Sequence, residues 1–297
     1  RTAWFGRPED ALGWFGTTTY EGLFAALERR PGAEWEEAFR RRRVEPSLPS
    51  PPAVLPEPAA PAPQFATLVS RTARLLVGDR RNLAILLAQA PAIGLFVSLA
   101  HDAGSAAGEL AILLDLTLAA IWFGAINSCR EIVKERPIYL RERKFNLAVL
   151  PYYLSKFAVL SALGAVQAAL LVATVGLLDP LHGSTAWRLA ALFLACQSGL
   201  ALGLALSAIV DSTDRAVSLV PIALIPQAIL AGAGREFSGA AGVLQTFTFS
   251  KWGLSSLQAV AAGRSPGAFA GDLIALGAMT AFLGLATCVY LRVRDDL

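Results

Sequence analysis

The sequence predicts an all-α membrane protein: six transmembrane helices, with an amphipathic surface helix, a charged cytoplasmic helix and a re-entrant outer segment. Two observations carry that expectation. Hydrophobic residues make up 55% of the 297 and charged residues only 16%, with a mean hydropathy of +0.51. An average soluble domain is about a quarter charged, and a soluble chain of this length needs more polar surface. Second, the apolar residues gather into stretches of membrane-spanning length, and the dense Lys and Arg sites flank alternate ends of them.

Composition also excludes some functions. A net charge of +3, with the basic residues beside apolar runs, does not suit a nucleic-acid binder. Cys129, Cys196 and Cys288 are widely spaced and odd in number, so they read as small apolar fillers rather than a disulfide framework or metal site. The first residue is Arg1 rather than Met, as expected of a chain that starts partway through a longer product. Its polar opening has no signal-peptide core, so the first membrane helix is expected to insert as an internal segment.

Three zones follow. Residues 1–43 are soluble in character, with Trp4, Phe5, Trp14, Phe15, Trp35 and Phe39 among charged residues. So short a segment buries little core, and its aromatics are expected to pack on something outside this chain. Residues 44–63 are rich in Pro and Ala and read as a semi-rigid extended spacer. Residues 64–297 form the membrane part.

That part opens on Phe65, Leu68, Thr72, Leu75 and Leu76 along one helical face, with Arg71 and Arg74 turned away, a pattern for a helix lying on the cytoplasmic surface. Six spans are then read at about 83–100, 110–128, 157–178, 187–210, 216–231 and 269–291. The fifth is the shortest and carries Pro221 and Pro226. Lys and Arg concentrate before span one, after span two and after span six, which places both termini in the cytoplasm. Residues 232–266, on the outer side, are too apolar and Gly-rich for a solvated loop, and Lys251 argues against one long span. A pair of short re-entrant or interfacial helices fits better. There is no internal repeat, which weakens a secondary-transporter reading.

Charges of both signs interleave from Cys129 to Pro151, with Glu131, Lys134 and Glu135 at helical spacing and Pro137 breaking the helix or starting a second. Such a surface suits docking on a charged partner just inside the membrane. It equally suits a solvated loop whose charges only set topology.

Here the sequence resembles a family. The run Arg130-Glu131, Glu135-Arg136-Pro137, Tyr139 and Arg141-Glu142, followed by Tyr152-Tyr153-Leu154-Ser155-Lys156, looks like the cytoplasmic loop of subfamily G ABC transporters. Ser207 to Ser212, Pro221 to Gln227 and Ser250 to Gly253 resemble that family's fourth span, fifth span and outer re-entrant segment. Trp4 to Gly16 resembles the tail that closes its ATPase domain, most closely in bacterial fused versions. The resemblance implies a type-2 exporter transmembrane domain (64–297), preceded by the C-terminal tail of an ATP-binding domain (1–43) and the linker (44–63). It implies a coupling helix that relays ATPase closure through Glu131, Glu135, Arg136, Tyr139, Arg141 and Glu142. It also implies a second copy of the chain to complete the path, a bacterial plasma membrane location, membrane lipid as a partner, and ATP with Mg in the ATPase domain. No G-x-x-x-x-G-K-[ST] phosphate loop and no catalytic constellation occur here, so ATP hydrolysis is expected in sequence before Arg1.

Within the spans, Gln89, Asp115, Gln167, Gln197 and Gln227 are candidates to line a translocation path, since intramembrane polar groups face protein or water. Asp115, about 7 Å inside span two, suits a proton or cation site, an interfacial carboxylate or a helix cap. The glutamines are alternatively hydrogen bonders between helices. Gly199-x-x-x-Gly203 permits close helix packing. His101 and His182 read as isolated outer-loop residues. The reading as a whole is half of an ATP-driven exporter for a lipid-like or amphipathic substrate. Its rival is a membrane-anchored regulatory or scaffold protein, or an ATP-independent carrier.

Overall fold

A computed structural model describes residues 3–5, 8–42, 61–179, 181–232 and 237–295, and among them all regular structure is helical. The chain divides into two units, Arg1–Glu57 and Pro58–Leu297.

The first unit contains α1 (Pro8–Phe15), α2 (Tyr20–Glu28) and α3 (Gly32–Arg42). Pro8 opens α1, where its missing N–H is no loss, and Thr19 caps α2 by accepting from the Gly22 N–H at 3.1 Å. Five of the six aromatics named from sequence pack on one another within the unit instead of awaiting an outside surface, while Phe5 stays exposed. Trp14 lies between Trp4, Trp35 and Phe39 at centroid distances of 5.7, 6.4 and 6.4 Å, and Phe15 meets Trp35 edge-on at 4.8 Å. Large rings let three short helices bury a core that aliphatic residues at that length could not. Phe5, Tyr20 and Phe24 remain exposed.

Most of the Pro-rich spacer lies outside the described residues. Pro61 and Pro63 belong instead to the first turn of α4 (Pro61–Gly78), a position that tolerates proline. The six expected spans appear as α5 (Arg80–Ala100), α6 (Ala106–Ser128), α8 (Val149–Leu178), α9 (Thr185–Ile209), α10 (Thr213–Ala231) and α13 (Pro266–Asp295). All six are long and apolar enough to cross a membrane. The largest boundary shift is in α8, which starts eight residues before the expected Phe157. Its extra turns carry polar Ser155 and Lys156, yet both are buried by protein.

The second unit is built around α6 and α9. A Cβ added to Gly124 would fall 2.0 Å from the Cys196 carbonyl oxygen, and one on Gly199 would fall 2.0 Å from the Ile121 carbonyl oxygen. The two helices touch backbone to backbone, the contact small residues permit. Ile112, Leu116, Phe123, Leu192, Leu200 and Leu204 seal the seam.

Residues after α10 form α11 (Gly239–Thr246) and α12 (Phe249–Ala261). At 13 residues, α12 reaches about 20 Å, short of the roughly 30 Å hydrocarbon thickness. It packs against α6, α9 and α13 through Phe249, Leu254 and Leu257. Arg294, near the end of α13, donates to the Ala208 carbonyl at the end of α9, beside the start of α10. So α13 ends where α10 begins, and the connection that carries α11 and α12 starts and ends at the opposite end of the bundle, as either a re-entrant or an interfacial pair requires.

Candidate functional site

The charged segment after α6 is the best-organised polar feature of the second unit. Ser128 closes α6, and a 3-10 turn at Val133–Glu135 leads into α7 (Arg136–Arg143). Pro137 falls in the first turn of α7, so it starts a second helix rather than breaking one. Ser207 of α9 fastens the turn: its hydroxyl accepts from the Ile132 and Val133 N–H groups, both at 3.0 Å. These two donors sit in a turn with no helical partner for them.

Five of the six residues expected to couple are held by neighbouring elements. Glu135 accepts from Lys156 of α8 at 2.7 Å, and Lys156 is only 1% exposed. The same ammonium lies 4.0 Å from Glu131, which also pairs with Lys134. Glu142 takes both oxygens to Arg71 of α4, at 3.0 and 3.2 Å, and Arg71 reaches 3.9 Å from Glu135. Arg71 therefore faces α7 and does not turn away as its place on the α4 pattern suggested. Tyr139 is buried against Tyr152, with centroids 4.7 Å apart. Arg136 donates to the Val210 carbonyl at 3.2 Å and to Asp211 at 2.5 Å. Arg294 reaches the same carboxylate at 2.7 Å. Two guanidinium groups thus meet the C-terminal carbonyls of α9, where cations complement the helix dipole.

Arg141, the sixth, is exposed, as are Lys134, Ile138, Leu140, Lys144 and Phe145. Ile138 and Arg141 are spaced to share one face of α7, and Phe145 follows in the turn after it. The segment is anchored by one side and presents a mixed basic and apolar surface on the other.

Three of the residues proposed from sequence for a path bond to neighbouring helices. Gln167 is fully buried, donating to the Leu86 carbonyl of α5 at 2.7 Å and accepting from Asn127 of α6 at 2.6 Å. Gln197 accepts from Ser161 of α8 at 2.5 Å. Gln227 accepts from the Phe249 N–H at 2.8 Å, and its own carbonyl accepts from the Ser250 hydroxyl at 2.6 Å, which seats the start of α12. These three join helices. The Gln89 amide nitrogen is buried without a partner. Asp115 pairs with His101 at 2.8 Å, across the turn from α5 to α6. His101 is therefore not isolated, and His182 likewise faces Glu109, at 3.3 Å. Asp115, Leu118, Trp122 and Ile126 form an outward stripe of α6 at helical spacing, with Trp122 42% exposed.

Asp211, Asn127 and Arg71 were not singled out as site residues, because their partners lie about forty to seventy-five positions away. Lys156 was visible only as the end of the Tyr-x-x-Ser-Lys run. Among the described residues no group of His, Cys, Asp and Glu could hold a metal ion.

The sequence matches the ABC-2 type transporter family over residues 63–261, from α4 through α12. It is also similar to the ABC transporter ATP-binding/permease protein Rv1747 of Mycobacterium tuberculosis (strain ATCC 25618 / H37Rv), with 29% identity over 285 residues. That alignment covers 86% of this chain and 32% of the relative, so the chain spans about a third of that protein's length.

Proposed function

The chain belongs to the ABC-2 type transporter family and is a transmembrane component of an ABC transporter, and from that premise we propose that it forms half of an export path driven by an ATPase domain. The other half is a second copy of the chain. The ATPase binds ATP and Mg and docks on the exposed side of the 129–148 segment, which faces the cytoplasm of a bacterial cell with both termini. The observation that supports this reading is the two-sidedness of that segment. Lys156–Glu135, Arg71–Glu142 and Arg136–Asp211 tie it to α8, to α4 and to the corner between α9 and α10. A push on Arg141 or Phe145 would therefore reach three parts of the bundle together.

The path itself is placed along α6 and α10. Trp122 stands outward on α6, and neighbouring α10 exposes Ile222, Ile225 and Ile229. Two such faces brought together would enclose a seam with apolar walls, Trp122 for stacking and Asp115 toward the far end. Such a seam suits an amphipathic or lipid-like substrate. Gln167, Gln197 and Gln227 hold helices around the seam instead of lining it.

The test uses the full-length protein reconstituted in liposomes. Arg141→Glu reverses an exposed charge, and like-charge contact at an interface is costly. It is expected to lower substrate-stimulated ATP hydrolysis and transport by about tenfold or more, roughly 1.4 kcal/mol, with the unfolding midpoint unchanged. Full coupling in that variant would overturn the docking surface. A wild-type protein with neither transport nor stimulated hydrolysis would instead support the membrane-anchor reading.

A further inference from the structure

A cavity of about 370 Å³ opens at the basic end of the bundle, between the end of α4, the start of α5, the end of α6, α8 and the 3-10 turn. Leu76, Leu86 and Ile126 give it an apolar part, and Asp79, Asn127 and Arg130 a polar one. The size falls within the roughly 300–1,000 Å³ of small-molecule sites.

The charges that line the cavity are unequally committed. Glu131, Lys134 and Glu135 also border the cavity, but all three are used in the ion pairs described above. The Arg130 side chain has no ion pair or hydrogen bond among the described residues, its carbonyl alone accepting from the Lys134 N–H. The Asp79 carboxylate only caps α5, accepting from the Asn82 N–H at 3.1 Å, and meets no cation. One cation and one anion are therefore left for a ligand.

Asn127 adds a directional demand. The Leu86 carbonyl can only accept, so the Gln167 amide must turn its nitrogen there and its oxygen toward Asn127. Asn127 must then present its nitrogen to Gln167, which leaves its Oδ1 outside the chain of bonds. That oxygen is buried and has no donor. A buried acceptor left unmade is penalised by about 1–3 kcal/mol.

We propose that this cavity binds the headgroup of a zwitterionic phospholipid bearing a primary ammonium, of the phosphatidylethanolamine class, from the leaflet on the basic side. The phosphate meets Arg130, the ammonium donates to Asp79 and the Asn127 oxygen, and the first methylenes of the chains lie on Leu76, Leu86 and Ile126. A quaternary choline headgroup carries the same charges but has no N–H to give. A glycerol headgroup gives hydroxyls but leaves Asp79 facing a net negative lipid. The site is independent of the transport reading, because it requires only the membrane-embedded chain.

Native mass spectrometry of the detergent-purified chain, titrated separately with dioleoyl-phosphatidylethanolamine, -phosphatidylcholine and -phosphatidylglycerol, tests it. One phosphatidylethanolamine per chain is expected to be retained at about tenfold lower concentration than either other lipid, roughly 1.4 kcal/mol. Asp79→Asn keeps a good helix cap yet should erase the preference over phosphatidylcholine. Leu86→Trp, which fills the cavity, should remove the retained lipid. Arg130→Gln changes an exposed side chain, so it should fold normally and weaken all three lipids. Equal retention of the three lipids, unaffected by Arg130→Gln, would overturn the site. A preference for phosphatidylglycerol that Asp79→Asn strengthens would overturn the assigned headgroup.

Discussion

Replacing Glu135 with Gln should destabilise the protein more than replacing Lys156 with Met, although the two residues share one ion pair. Removing one partner of a buried pair strands the other, which typically costs about 3–5 kcal/mol. The two residues would be stranded differently. Lys156 is 1% exposed, and without Glu135 its nearest anion is Glu131 at 4.0 Å instead of 2.7 Å. At an effective dielectric of 20, that lengthening lowers the gross attraction from about 6 to about 4 kcal/mol. Glu131 is, in addition, already shared with Lys134. Glu135, by contrast, is 14% exposed and keeps Arg71 at 3.9 Å after Lys156 is gone. We expect Glu135→Gln to cost about 3 kcal/mol and Lys156→Met about 1–2 kcal/mol, below that range because the remaining carboxylate keeps a cation. The double variant should fall near Lys156→Met, giving a coupling energy of about 3 kcal/mol in magnitude. The three cysteines are buried, so a thiol-reactive dye reports unfolding directly. At about 2–4 °C per kcal/mol, Glu135→Gln should lower the midpoint by roughly 6–12 °C. The reasoning is refuted if Lys156→Met is the more damaging change, or if the two effects simply add.

Ser207→Ala removes the acceptor of two buried N–H groups and should cost about 2–3 kcal/mol, read by the same dye midpoint. Asp211→Asn should cost less than about 1 kcal/mol, because its carboxylate is 65% exposed; the loss should shrink further in high salt. Gly124→Ala would place a methyl group against the Cys196 carbonyl, with an expected penalty of about 1–3 kcal/mol. Gly277→Ala, where nothing lies within 4 Å, is the matched control and should leave the midpoint unchanged.

Hydropathy made the six spans and the helix pair between α10 and α13 legible, because lipid requires long apolar helices and forbids a bare loop. The ends of α8 were harder to read. Lys156 argues against membrane insertion on composition alone, and only Glu131 and Glu135 placed over it explain its burial. The charged segment stood out by its interleaved signs, but which of its faces was anchored did not, since Arg71, Ser207 and Asp211 lie far away in sequence. Shorter separations hid other contacts: His101 and Asp115 are 14 positions apart, and Gln197 and Gln227 meet partners 36 and 22 positions away on neighbouring helices. In the first unit, a count of residues underestimated what packed indoles can enclose.

The backbone contact of α6 with α9 has a mechanical consequence. Helices that meet through glycine against carbonyl cannot slide without collision, so this pair behaves as a fixed mast. The helices around it, α5, α10 and α13, have few buried residues and adhere mainly by aliphatic surface, which a lipid tail can replace at little loss. Rearrangement of the bundle would therefore occur by those three swinging about the mast, with the Arg136–Asp211–Arg294 cluster as the hinge pin that α10 and α13 share.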